Sequence, residues 1–173
     1  YNAHSGSILT LTTRNSAGTV IDGLTQDMSG NVGIGTTGPN VLLDLVGANQ
    51  GPNWGVINVQ SSDAYTIDLG GSIALGGKYN AAGAYAQWAR VLGAKENSTD
   101  GNYAGYLSFW TRANGANSAE RMRIGSSGQV GINQASPASG SKLHVTGGST
   151  VLDGVGTIAG AYALIVRSST PAN

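Results

Sequence analysis

The sequence predicts an all-β protein of short strands and glycine-rich turns, and three observations carry that prediction. Glycine occurs 28 times in 173 residues, more than twice the usual share of roughly 7%. Apolar and polar residues alternate at period two in several short windows, the pattern of a strand with one buried face. A block of the chain is also written twice, 98 residues apart. Glycine costs backbone entropy when it is ordered. A chain this rich in it needs many turns, close backbone approaches or partner chains, which points to an oligomeric object extended along one axis.

The repeat aligns residues 8–39 with 106–137 without a gap, and nine of the 32 positions are identical. Thr13 and Arg14 fall on Thr111 and Arg112, Ser29 and Gly30 on Ser127 and Gly128, Val32-Gly33-Ile34 on Val130-Gly131-Ile132, and Pro39 on Pro137. Beyond the proline, LLDLVG at 42–47 matches KLHVTG at 142–147, and GVINVQSS at 55–62 resembles ALIVRSS at 163–169. Such copies each form one structural module.

Taken in chain order, ILTLTT (8–13) and its counterpart YLSFWT (106–111) alternate as strands, and RNSAG and RANGAN after them are turn chemistry. ERMRI (120–124) predicts a strand with Met122 and Ile124 inward and Arg121 and Arg123 on the other side. MSGNVGI and SSGQVGI place glycine where a tight turn requires positive φ and follow it with a very short strand. Pro39 and Pro137 end that strand, and LLDLV and KLHV begin the next. The window AAGAYAQWARVLGAKE (81–96) satisfies helix propensity and strand alternation alike. The expected organisation is the end of a first repeat over 1–47, an elaborated β insertion or small knob over 48–105, a second repeat over 106–147 and the start of a further unit over 148–173.

Composition excludes several classes. Nine basic and nine acidic residues cancel, so the electrostatic footprint of a nucleic-acid binder is missing. No run approaches 18 apolar residues, so membrane insertion is not expected. Cysteine is absent, which removes disulfides and thiolate chemistry. The chain begins at Tyr1 without a signal-like segment, as a fragment of a longer protein would.

Over 119–145 (AERMRIGSSGQVGINQASPASGSKLHV) and 30–46 (GNVGIGTTGPNVLLDLV), the chain resembles bacteriophage tail-fibre and tailspike-type proteins, whose shafts carry phrases built like ERMRI, SSGNVGIGT, SP and KLHV. The stretch from Gly101 through Phe109 to Arg112 is similar to the segment that precedes ERMRI in those fibres. The resemblance implies an elongated, intertwined homotrimer with triple β-helix or β-prism character, and it favours strand over helix for 81–96. It further implies a structural role in a virion tail fibre, extracellular when functioning, with neighbouring fibre or virion proteins as partners and host attachment as the task. Relatives often continue into a self-cleaving C-terminal chaperone domain, which is absent from this sequence. Two departures stand out: Asn133-Gln134-Ala135 replaces the usual Gly-Thr-Thr, and the first copy has DGLTQ at 22–26 in place of ERMRI. Within an intertwined trimer, Glu120, Arg121 and Arg123 are expected to form interchain ion pairs, with Met122, Ile124, Val130 and Ile132 on the shared apolar strip.

Aromatic residues beside amides are how proteins grip sugars. That makes Trp54, Tyr79, Trp88, Tyr103 and Trp110 candidate contacts for a bacterial surface glycan, and a carbohydrate-binding module at a fibre tip the alternative to a shaft; core packing competes for the same rings. No catalytic residue, metal or cofactor is expected. Asp63 and Asp68, like Glu96 and Asp100, do not present the paired carboxylates of a glycosidase. His144 lies on the outward side of KLHV, and the glycine clusters lack a Walker lysine. A capsule-degrading tailspike fragment and a bacterial adhesin stalk are the further rivals.

Overall fold

The computed structural model describes residues 9–14, 16–18, 20–48, 51–52 and 55–147. Residues 148–173, the expected start of a further unit, which include the 163–169 match to 55–62, and Trp54 lie outside them. The chain divides into two units, 1–59 and 60–173. The first holds one open sheet of four strands in chain order: β1 (Leu9–Arg14), β2 (Val20–Gln26), β3 (Val32–Ile34) and β4 (Leu43–Leu45). β1–β2 and β2–β3 are antiparallel and β3–β4 is parallel. The second unit holds an open six-stranded sheet in the order β10-β9-β8-β7-β6-β5, with β5 (Ser72–Lys78), β6 (Tyr85–Lys95), β7 (Gly105–Arg112), β8 (Ser118–Ile124), β9 (Val130–Ile132) and β10 (Leu143–Val145). Only β9–β10 is parallel there.

The sequence repeat is a structural repeat. β2 and β8, like β3 and β9, occupy positions 98 residues apart to the residue. Both copies bulge at the same place: β1–β2 slips between Leu11 and Thr12, opposite Gly23, and β7–β8 slips between Phe109 and Trp110, opposite Arg121. A bulge makes two residues of one strand oppose one of the other and breaks the in–out alternation. Glu120 and Arg123, three apart, therefore reach the same side of the sheet. The expected shared face for Arg121 and Arg123 is lost for this reason.

The V-G-I phrase has a steric cause. After β3 and β9 the chain crosses back over its own strand to add a parallel neighbour, through residues 35–42 and 133–142, shorter than the roughly dozen residues such a crossover usually takes. A Cβ on Gly33 would stand 2.5 Å from the Thr36 carbonyl oxygen, and one on Gly131 1.9 Å from that of Gln134. Glycine is needed because the returning loop occupies the side chain's place. Each crossover starts with a left-handed residue, Gly35 (φ 75°) in the first copy and Asn133 (φ 52°) in the second. Asn is the ordinary side chain that tolerates this region best, so the Asn133 departure leaves the turn intact.

Register partners lie on the same side of a sheet. On one side of the second sheet Leu92, Ala94 and Tyr106 are buried, with Trp110 packed against them. On the other, Ile73, Val91, Phe109, Met122, Ile132 and Val145 are successive partners across all six strands. Leu107, Ile124, Val130 and Leu143 form a parallel row. All of these are partly or largely exposed. The first sheet carries the matching row Leu11, Leu24, Ile34 and Leu45, again partly or largely exposed.

The fold is all-β, but the intertwined triple β-helix or β-prism is corrected: both sheets are open and uncurled, and every described strand finds its ladder partner within its own chain. The expectation came from the resemblance and from a glycine content that called for close approach of partner chains. Instead, hairpin turns with left-handed glycines at Gly18, Gly83 and Gly115 return the chain directly beside itself, and β6 and β7 extend to 11 and 8 residues. Local antiparallel pairing is then complete before another chain is needed. Within the 81–96 window Tyr85–Lys95 is strand, with a bulge opposite Leu75/Gly76.

Candidate functional site

Two side-chain groupings stand out in the second unit. The first lies on the packed side of the sheet. The Arg123 guanidinium donates to Glu120 through Nε (2.9 Å) and Nη2 (2.7 Å), and it stacks 3.6 Å from the Tyr106 ring centre. Tyr106 donates its hydroxyl to Asp68 Oδ1 at 2.7 Å. Asp68 is held at positive φ (66°), with its backbone N–H bonded to the Lys95 carbonyl, so a turn residue delivers a carboxylate onto the sheet. Burial, and then the bond to Asp68, push the Tyr106 phenol up to about 12. One strand over, Arg90 lies 4.4 Å above the Trp110 ring, and Trp110 donates to Ser108 Oγ at 2.8 Å. Arg90 Nε is buried without a hydrogen-bond partner.

These contacts are structural. Apart from Arg90 Nε, the polar groups of this cluster are satisfied by one another, Arg123 by Glu120 and Trp110 by Ser108 within their own strands and Tyr106 by Asp68 from a turn, which is how polar residues are accommodated on a packed face. The Glu120 pair, expected between chains, is closed within one. Arg121 donates instead to Thr111 Oγ1 at 3.1 Å. Met122, Ile124, Val130 and Ile132 lie in the two apolar rows.

The second grouping is a cleft of about 960 Å³ at one end of the sheet, between the tips of the β5–β6 and β7–β8 hairpins. Its origin is the register. β6 pairs with β7 only from Ala89 opposite Thr111, while its pairing with β5 continues to Tyr85 opposite Lys78. Tyr85–Trp88 thus project past β7, and the 113–115 turn stands across the gap. Tyr79, Tyr85 and Trp88 line it with 61%, 76% and 49% of their surface exposed. The Trp88 ring lies across Gly77, where an added Cβ would come within 2.8 Å of it. Gln87, Asn114 and Arg112 supply polar groups. Gln87 and Arg112 also line a smaller hollow of about 270 Å³ that contains Arg90, Asn117 and Ser118.

Of the five aromatics singled out in the sequence, the structure brings Tyr79 and Trp88 together. Tyr103 is fully exposed in the 96–104 connection at the opposite end of β6, and Trp110 is engaged by Arg90 and Ser108. Sequence reasoning missed Tyr85, Gln87, Arg112 and Asn114 as companions, because only the stagger of β6 against β7 makes them neighbours. The other residues considered for chemistry are occupied locally: Asp63 bonds to Ser61, and Glu96 accepts from Ser126. His144 Nδ1 accepts the Ala138 N–H at 2.9 Å. Among the described residues no group of three or more His, Asp or Glu could hold a metal ion, and no helix is long and apolar enough to cross a membrane.

No protein-family model matches the sequence, and no curated protein matches it.

Proposed function

We propose that the chain is a structural segment of a virion fibre of the phage tail-fibre type, supporting host attachment, and that it works as a homotrimer. The observation that carries this reading is the apolar row across all six strands of the second sheet, matched by the row in the first. Among the described residues the buried hydrophobic side chains are Leu92, Ala94 and Tyr106 alone, a core too small to offset the ordering of so many residues. Covering the apolar rows recovers roughly 25 cal/mol for each Å² removed from water. Identical chains carry identical rows, so copies of the chain are suitable covers for one another. Association then joins finished sheets through their side chains, while the ladders stay within each chain. Neighbouring fibre proteins would continue the assembly.

Light scattering of the purified chain tests it. A mass near three times 17.4 kDa is expected, and Phe109→Asp, which places a charge in the middle of the row, is expected to dissociate the assembly. A folded monomer of the unsubstituted chain would overturn the reading. The alternative role, carbohydrate binding, is supported by the cleft at the hairpin tips.

A further inference from the structure

We propose that the cleft between the β5–β6 and β7–β8 hairpin tips binds an acidic saccharide, one whose sugar rings carry carboxylates. It belongs to a single chain, so the inference stands apart from the way copies associate. Three features of the cleft converge on this ligand.

The first is the aromatic surface. Three rings, each about half or more exposed, share one concavity, and a pyranose presents a C–H face that packs on such rings while its hydroxyls remain free for polar groups. The Trp88 ring is held in place by the bare backbone at Gly77, so little side-chain freedom is lost when a ligand lands on it. The amides of Gln87 and Asn114 stand beside the rings with donors and acceptors for hydroxyls.

The second is charge. Arg112 lines both the cleft and the hollow behind it, where Arg90 lies, and among the described residues no Asp or Glu lines either space. Arg112 is tethered by Nε to the Ala116 carbonyl at 2.6 Å, which fixes the guanidinium and leaves its terminal amino groups without other partners among the described residues. Arg90 Nε is buried and unpaired. Elsewhere on this sheet the buried arginine is neutralised: Arg123 has Glu120. Two guanidinium groups without a carboxylate partner suit an anion, and a planar carboxylate matches the guanidinium fork.

The third is the absence of a longer cationic track. A single-stranded nucleic acid also offers stacking faces and anions, but it needs cations spaced along its phosphates. The chain has zero net charge; of the described residues lining the cleft and the hollow behind it, Arg112 and Arg90 are the cations, with the Lys78 ammonium beside them 5.9 Å from the Tyr85 ring centre. Isolated carboxylates on a sugar chain fit better.

The test uses the whole chain with two probes, a hexasaccharide of alternating glucuronic acid and N-acetylglucosamine and an α2-8-linked sialic acid tetramer. Each is compared with its carboxyl-reduced counterpart by calorimetry at low salt. At least one acidic probe is expected to bind, about tenfold or more tighter than its reduced form. Trp88→Ala should abolish binding, and Arg112→Gln should remove the preference for the acidic form while weak binding persists. Molar mass is measured on both variants and should not change, which separates this outcome from a failure of assembly. The proposal is overturned by equal affinity for acidic and reduced forms, by binding insensitive to both substitutions, by no binding of either acidic probe, or by tighter binding of an oligothymidylate of similar length.

Discussion

The two copies of the repeat share strands, bulge, crossover and the left-handed positions Gly30/Gly128 and Gly35/Asn133, yet they solve the packed side of their sheets differently. In the first, the residue matching Arg123 is Thr25, which is buried with its hydroxyl unpaired. In the second, two added strands widen the sheet and the same position carries Arg123, bonded to Glu120 and stacked on Tyr106. The backbone of the module therefore tolerates either a small side chain or a full ion pair there. What is common to both copies is backbone chemistry, and what differs is how much sheet is available to satisfy a polar group. The same substitution of means appears at the parallel strand. Asp44 in the first copy accepts the Asn40 N–H through Oδ2 at 3.0 Å, and His144 in the second accepts the Ala138 N–H through Nδ1. The Asn40 backbone bond, followed by its side-chain bond, holds the Asp44 carboxyl below its ordinary value.

The largest way to break this correspondence is at the crossover. Gly131→Ala places a methyl 1.9 Å from the Gln134 carbonyl oxygen, and Gly33→Ala places one 2.5 Å from that of Thr36. Both are expected to destabilise their unit by about 3 kcal/mol or more, since backbone must move to admit the methyl. Gly131→Ala should be the worse of the two, and urea unfolding midpoints would show the order. Equal stability to the unsubstituted chain would refute the steric account of the V-G-I phrase.

Next in size is the ion pair. Arg123→Thr imports the first copy's residue but strands Glu120 on the packed side, at an expected cost of about 2 kcal/mol given the partial exposure of the pair. Adding Glu120→Gln should recover part of that loss, which a double-mutant cycle on the denaturation midpoints measures. Strictly additive losses would mean that the two residues act independently.

Alkaline pH separates the copies by titration. The folded chain holds the Tyr106 proton up to about 12, whereas an unfolded phenol ionises near 10. Between these values the unfolded state binds fewer protons. The stabilising contribution is thus whole below pH 10 and is lost as pH rises from about 10 to 12. Amide exchange should accelerate in β7 and β8 over that window, and Tyr106→Phe should remove the dependence.

The smallest effect is expected at His144. His144→Asp restores the first copy's acceptor and should change stability by less than about 0.5 kcal/mol, whereas His144→Leu leaves the Ala138 N–H unpaired and should cost about 1 kcal/mol. A Leu variant as stable as the Asp variant would show that the bond is dispensable.

Much of this architecture was legible residue by residue. Period-two alternation marks β1, β7 and β8, and the glycines at 30 and 128 mark turns. The gapless 98-residue match requires that whatever the first copy does, the second does too. The bulge was not legible, since neither Gly23 nor Arg121 announces it, and it alone decides that Arg123 faces Glu120 while Arg121 turns to Thr111. The cleft was half legible: Tyr79 and Trp88 stood out as aromatics, but their meeting with Tyr85 and Arg112 depends on how far β6 runs past β7.

Local chemistry by itself determined the strands and the turns, because φ preference and side-chain alternation act over a few neighbouring residues, whereas the need for glycine within V-G-I comes from the crossover loop that returns over the strand. Whether those strands would pair with their own chain or with others was decided only by the tertiary structure. Ladder hydrogen bonds are the same in either case, and the winner is the arrangement whose turns bring partners together at the least entropic cost. Here the hairpins do so within one chain, leaving as open surfaces the apolar rows, whose members the alternation marks, and the hairpin-tip cleft, whose full lining it does not.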